Sequence, residues 1–136
     1  MVLVTHDPID PAMGYDSISS AFSGSVVFHY AVVKQKTGSD ILTTSVEYKA
    51  KENAIEEMEG IVRELKTRWE LEDILIIRRT GCLAVGEIIS LVAASSPNSE
   101  DAFEACKCGI SRLKKMVTIS KIENYLAEST QKEGYL

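Results

Sequence analysis

The stretch from Ser95 to Lys121 constrains the fold most, because it carries helix signals at both ends and one apolar stripe between them. Ser96 is the candidate N-cap, with a hydroxyl able to accept from a free first-turn amide. Pro97 suits the first helical position, where no amide hydrogen is needed. Glu100 and Asp101 fall early and Arg112, Lys114 and Lys115 fall late, which matches a helix dipole at both ends. Phe103, Cys106, Ile110, Leu113 and Val117 recur at steps of three and four and predict one buried stripe. Such a helix has to lie on another element, and it would deliver Lys114 and Lys121 to one end. By residue type alone, those lysines read first as a solvated, dipole-matched terminus.

The rest of the chain supplies the partners for that helix. Met1 to Val4 predict a short edge strand, and His6 to Gly14, with Pro8, Pro11 and Gly14, a loop. Asp16 to Phe22 predict a short helix capped by Asp16, with Ile18, Ala21 and Phe22 turned inward. Ser25 to Val33 is rich in β-branched and aromatic residues and predicts a buried strand. His29 inside it reads as a structural histidine. Lys34 to Asp40 is polar and predicts a turn or mobile loop whose lysines are either solvated or an anion-binding flap. Ile41 to Tyr48 predicts a strand with Leu42, Thr44, Val46 and Tyr48 on one face. Lys51 to Trp69 predicts a helix buried through Ala54, Met58, Ile61, Leu65 and Trp69, with Glu59–Arg63 and Glu64–Arg68 as surface pairs. Strands follow at Asp73 to Arg79, Cys82 to Val85 and Glu87 to Ala94, with turns at Thr80-Gly81 and Gly86. Ile122 to Leu136 is polar, and 124–136 is expected to be a mobile or partner-bound tail. Two main helices and about five strands, antiparallel or mixed, make one α+β domain over 1–136.

Charge and composition exclude several functions. The net charge of −5 argues against binding nucleic acid through bulk electrostatics. No apolar run is long enough to span a bilayer, and the N-terminal residues do not resemble a signal peptide, so no membrane partner and a cytoplasmic location are expected. Cys106 and Cys108 lie two apart on the helix, about 200° around its axis, and cannot jointly hold one metal. Cys106 reads as a small core residue, and with only His6 and His29 available no metal site or cofactor is expected. Glycine-rich nucleotide loops and a nucleophile elbow are absent.

A set of ordered motifs narrows the choice further. They are Gly24-Ser25-Val26-Val27, Glu47-Tyr48, Arg68-Trp69, Arg79-Thr80-Gly81-x-Leu83-x-Val85-Gly86-Glu87, Asp101-Ala102-Phe103-Glu104-Ala105-Cys106 and Leu113-Lys114. In order and spacing, over about residues 24 to 123, the chain resembles the catalytic (large) subunit family of molybdopterin synthase. The resemblance implies an α/β-hammerhead fold in the α+β class. It implies a homodimer within a heterotetramer, with a ubiquitin-like sulfur-carrier small subunit at each end. The carrier's C-terminal Gly-Gly thiocarboxylate would give sulfur to cyclic pyranopterin monophosphate, forming the molybdopterin dithiolene without a metal.

The family's two active-site lysines fall on Lys114 and Lys121, and its substrate contacts on Ile122 and Glu123. An ammonium suits this chemistry, since thiocarboxylate and phosphate are both anions and acyl-thio transfer needs a proton donor. Other positions depart from the family pattern. A glycine and arginine strand-end motif falls on Ala31-Val32-Val33-Lys34, so Val32, Val33 and Lys34 are candidate substrate contacts with Lys34 in place of arginine. A His-Arg pair before the second main helix is Asn98-Ser99, both able to donate hydrogen bonds to substrate. The histidine of a His-Arg-x-Gly stretch is Arg78, and a tryptophan before the second lysine is Ser120. Three functions stay open: the sulfur transferase, a non-catalytic dimeric binding or scaffold relative, and a related pocket for another anionic metabolite.

Overall fold

Ile74, Leu75, Ile76 and Ile77 follow one another in one strand, and Leu91 to Ala94 do so in a second. Unbroken apolar runs of this kind suit strands covered on both faces. In the computed structural model, which describes residues 1–37 and 41–126, they form the centre of a layered α+β fold. The elements in order are β1 (Val2–Thr5), α1 (Pro11–Ser17), β2 (Ser25–Val32), β3 (Lys36–Thr37), β4 (Ile41–Ala50) and α2 (Ala54–Arg68). They continue with β5 (Asp73–Arg79), β6 (Gly81–Ala84), β7 (Ile88–Ser96), α3 (Ser99–Lys114) and β8 (Ile119–Tyr125).

The first sheet has the order β1-β5-β7-β2, with β1 parallel to β5 and the other pairs antiparallel. α2 and α3 cover one face. Met58, Ile61 and Leu65 of α2 and Ala105, Cys106 and Leu113 of α3 pack there on Ile74, Ile76, Val92 and Ala94. Gly109 lets α3 come close: a Cβ at that position would lie 3.2 Å from Val92 Cγ1 and 3.3 Å from Leu65 Cδ1. Ile9 and Ile18, flanking α1, cover the opposite face over Leu75, Ile77, Leu91 and Ala93. The second sheet runs β3-β4-β6, and β8 also pairs with β4. Val33, Val46, Tyr48 and Leu83 form a third small core where the two sheets meet.

Several sequence expectations are corrected. α3 starts at Ser99 with Asn98 as its cap, whose side-chain oxygen accepts from the Asp101 amide at 2.8 Å. Ser96 instead ends β7, fully buried, donating to the Glu70 carbonyl at 2.6 Å. The buried stripe of α3 is Ala102, Ala105, Cys106, Gly109 and Leu113. Phe103 is 63% exposed, because the helix packs largely through small residues, and Val117, 78% exposed, lies beyond the end of α3 in the segment leading to β8. α3 ends at Lys114, so Lys121 belongs to β8 and not to the helix.

The first helix lies at Pro11–Ser17, where a loop was expected, because Asp10 caps it and Pro11 serves as its first residue. Ile18 is buried, but Ala21 and Phe22 are exposed. β2 is a half-buried sheet edge rather than a buried strand. In β4, Val46 and Tyr48 are buried as expected. Thr43 replaces Thr44 as the inward residue, since the pairing with β8 shifts register between Thr43 and Ser45. The expected tail is a strand as far as Tyr125; residues 127–136 lie outside the described residues, as do 38–40 of the expected loop. Among the described residues there are three helices, the two main ones and a short one as expected, and eight strands where about five were expected.

Candidate active site

Alternation along a strand gives one end of the first sheet a different chemistry from its centre. Ile74, Ile76 and Arg78 share one face of β5 by the strand's period of two. Ser90 of β7 lies directly opposite Arg78, and Ala31 of β2 lies opposite Ser90. The apolar face under α3 therefore turns polar at Arg78, Ser90 and His29. A cavity of about 540 Å3 opens there, between this end of the sheet, the last turns of α3 and the second sheet.

The cationic walls come from three separate elements. Lys114 is the last residue of α3, and its neighbours Ile110 and Leu113 also line the cavity. Lys121 enters from β8 directly opposite Tyr48 of β4, and Glu123 lies opposite Val46. Because Val46 and Tyr48 face the cavity, that register turns Lys121 and Glu123 inward as well. Lys34 contributes from the segment after β2. Glu123 accepts from the Thr43 hydroxyl at 2.7 Å and lies 3.5 Å from Lys121 Nζ.

Arg78 forms part of the floor. It is only 7% exposed, and its Cζ stacks 4.8 Å above the centroid of the Tyr48 ring. Burial lowers its proton affinity, and Tyr48 works in the opposite direction. Its Nε has no hydrogen-bond partner, and neither has Nδ1 of His29, also buried against this cavity. Lys34, Arg78, Lys114 and Lys121 thus face one carboxylate, Glu123, across a partly apolar cavity. Such a cleft favours an anionic ligand.

The segment joining α3 to β8 sets the distance between the two lysines. Glu57 of α2 accepts from the amides of Val117 and Thr118 at 3.2 and 3.1 Å and from the Thr118 hydroxyl at 2.6 Å. Burial disfavours the charged carboxylate, but these three hydrogen bonds outweigh it and hold the Glu57 pKa below its ordinary value. On the outer side, Glu64 of α2 pairs with Arg68 at 3.2 Å and with Arg112 of α3 at 2.7 Å.

Of the candidate site residues, Val32, Val33, Lys34, Lys114, Lys121 and Glu123 line this one cavity. Asn98 and Ser99 do not; they sit at the N-terminus of α3, with the Asn98 amide engaged by Asp101 at 2.8 and 3.2 Å. Ile122 points away as well, because it alternates with Lys121 and Glu123 along β8. Sequence reasoning missed Arg78 and His29 as members of the cavity, although a charge in phase with Ile74 and Ile76 was a visible signal. Cys106 is confirmed as a core residue, its thiol pushed up to about 11 by burial. Among the described residues no group of three His, Cys, Asp or Glu side chains is placed to hold a metal. No helix is long and apolar enough to cross a membrane.

Comparison with known proteins places this geometry among relatives. The profile of the family described as MoaE protein matches residues 4–116, which includes Lys114 and stops short of Lys121. The molybdopterin synthase catalytic subunit of Bacillus subtilis is 30% identical over 121 residues, covering 88% of this chain and 76% of that protein. A longer relative of the same description in Drosophila melanogaster is 34% identical over 127 residues, and this chain spans 34% of its length. Among solved structures, molybdopterin synthase from Staphylococcus aureus superimposes with a TM-score of 0.84 at 28% identity, covering 90% of both chains. A complex of subunits 1 and 2 of the molybdopterin-converting factor from Helicobacter pylori contains a chain of the same fold. That chain has a TM-score of 0.71 at 12% identity, with 93% of this chain and 89% of that one covered.

Proposed function

The chain belongs to the MoaE family, and on that premise we propose that it acts as a sulfur transferase of the molybdopterin synthase kind, with Lys114 and Lys121 as its catalytic residues. One observation carries the assignment of the lysines: they come from different elements, α3 and β8, yet line the same anion-suited cavity. The donor is a thiocarboxylate on the C-terminal Gly-Gly of a ubiquitin-like small subunit, and the acceptor is cyclic pyranopterin monophosphate. The sulfur anion attacks a side-chain carbon of the pterin while the acyl group stays attached to sulfur. The oxygen on that carbon leaves, as the opened phosphate ester in one transfer and, after taking up a proton, as water in the other. Water then cleaves that acyl–sulfur bond, so the carrier leaves as a carboxylate and the sulfur remains on the pterin. Two such transfers complete the dithiolene.

Each lysine has a physical task in this scheme. An ammonium at the cavity rim neutralises the incoming thiocarboxylate and can protonate an oxygen that gains charge as bonds change. Lys114 has its stem held beside Leu113, which is buried, so its charge is better fixed than that of a loop lysine. Lys121 lies beside Tyr48 on a paired strand, with Glu123 within 3.5 Å to position it. Lys34 and Arg78 supply further positive charge for the phosphorylated substrate.

The complex of two subunits in Helicobacter pylori, in a protein of this fold, supports a small-subunit partner. A homodimer bearing two such partners, and a cytoplasmic site of action, belong to the same proposal. The experiment is reconstitution: purified chain, thiocarboxylated carrier and precursor should yield the dithiolene, and Lys121→Ala should lower the yield. Carrier binding without any turnover would favour the non-catalytic scaffold instead.

A further inference from the structure

We propose that Arg78 is an oxyanion-binding residue of this cavity, its guanidinium kept free of any protein carboxylate so that a ligand can pair with it. The inference rests on the proposed sulfur-transfer reading for the identity of the ligand, but not for the existence of the site. Arg78 is more than nine-tenths buried and lines the cavity. Among the described residues its Nε has no hydrogen-bond partner and no carboxylate lies within ion-pairing distance of it. The carboxylate that shares the cavity, Glu123, is engaged with Thr43 and Lys121 instead.

A buried arginine without a counter-ion is costly, and native interiors ordinarily satisfy such a group. Two features of the cavity fit an oxyanion at this position. The Tyr48 ring fixes the plane of the guanidinium by stacking at 4.8 Å. Nδ1 of His29 is a second buried polar atom without a partner at the same cavity. A planar fork with free donors is complementary to a group presenting two oxygens in one plane, which a phosphate ester or a carboxylate does. Two sources of that oxyanion are compatible with the proposed reaction: the phosphate of the pterin substrate and the C-terminal carboxyl-type group of the carrier.

The test uses the full chain, with inorganic phosphate as the first probe. Phosphate should raise the melting temperature of the unsubstituted protein. Arg78→Met keeps a long apolar stem against Tyr48 and removes the unpaired charge. It should melt at a higher temperature than the unsubstituted protein without phosphate, and lose roughly tenfold or more in phosphate affinity. Arg78→Lys keeps the charge without the fork and should fall between the two. Steady-state turnover then separates the sources. A raised KM for the pterin precursor alone points to its phosphate, and a raised KM for the carrier alone points to the carrier terminus. Phosphate affinity unchanged in both variants, or an Arg78→Met protein that is destabilised yet binds phosphate normally, overturns the proposal. Absence of sulfur transfer in the unsubstituted protein, with phosphate binding still dependent on Arg78, would remove the sulfur-transfer reading and leave this site standing.

Discussion

The two ends of one sheet face follow opposite rules. Beneath α2 and α3, Ile74, Ile76, Val92 and Ala94 are completely buried and belong to the main apolar core. One strand repeat further along, the same face carries Arg78 and Ser90, and on the edge strand β2 His29, level with Val92, already lines the cavity. The backbone pairing is continuous across both regions, since Ile76↔Val92 and Arg78↔Ser90 belong to one register. What changes is the cover, because α3 stops at Lys114 and leaves the end of the sheet open. Helix length and side-chain identity make the site on β5 and β7, while on β2 the pairing with β7 shifts register between Ala31 and Val32, both of which line the cavity. The closed end provides rigidity, and the open end holds groups that a ligand could satisfy.

Substitution should break this comparison most strongly at the closed end. Ile76→Ala should cost about 2–5 kcal/mol in chemical denaturation, as large-to-small changes in a closed core do. Arg78→Met, one repeat away, should not destabilise. Equal losses at both positions would show that the two ends are not distinct.

Glu57 sharpens the comparison by an intermediate amount. Its carboxylate holds the Val117–Thr118 segment between the two lysines. Glu57→Gln should cost roughly 1–3 kcal/mol, because buried Thr118 loses a charged acceptor. It should also lower sulfur transfer by loosening both lysines together. Since the folded pKa of Glu57 lies below its ordinary value, its ionised form stabilises the fold above the unfolded pKa. That contribution is lost as the pH falls through the lowered folded value. The gap in stability between the unsubstituted protein and Glu57→Gln should therefore narrow on acidification, as followed by denaturation at several pH values. A gap independent of pH would contradict the assignment.

The smallest effect belongs to the outer surface. Glu64→Ala removes exposed pairs to Arg68 and Arg112, and should shift the melting temperature slightly at low salt and less at high salt. Sulfur transfer should be unchanged, because these groups do not line the cavity.

How much of this was legible in the sequence depends on the range of the signal. α2 was visible because Ala54, Met58, Ile61 and Leu65 form a local period that burial then follows. The stripe of α3 was legible at Cys106 and Leu113 but not at Ala102, Ala105 and Gly109, because small residues score weakly as hydrophobic. Asn98 and Asp101 were a better capping signal than Ser96, since the Asn98 side chain accepts from the Asp101 amide and donates to the Asp101 carboxylate three residues on. The family resemblance marked Lys114 and Lys121. Their convergence needs β8 to pair with β4 at Tyr48↔Lys121, a contact across more than half the chain that no local pattern encodes. Likewise, Asn98 caps α3 and Ser99 opens it, so the length of the sixteen-residue helix separates them from its Lys114 end.

The central claim is that Lys114 acts through its place in the cavity and not through its charge alone. Lys115 is its control: the next residue, the same charge, the helix cap, and not part of the cavity lining. The measurement is the rate of dithiolene formation by Lys114→Ala and Lys115→Ala, each checked by circular dichroism for an intact fold. Lys114→Ala should lose roughly a hundredfold or more, on the order of 2–4 kcal/mol of barrier, while Lys115→Ala stays close to the unsubstituted rate. Equal rates for the two variants would contradict the account and return Lys114 to the role of a solvated helix end.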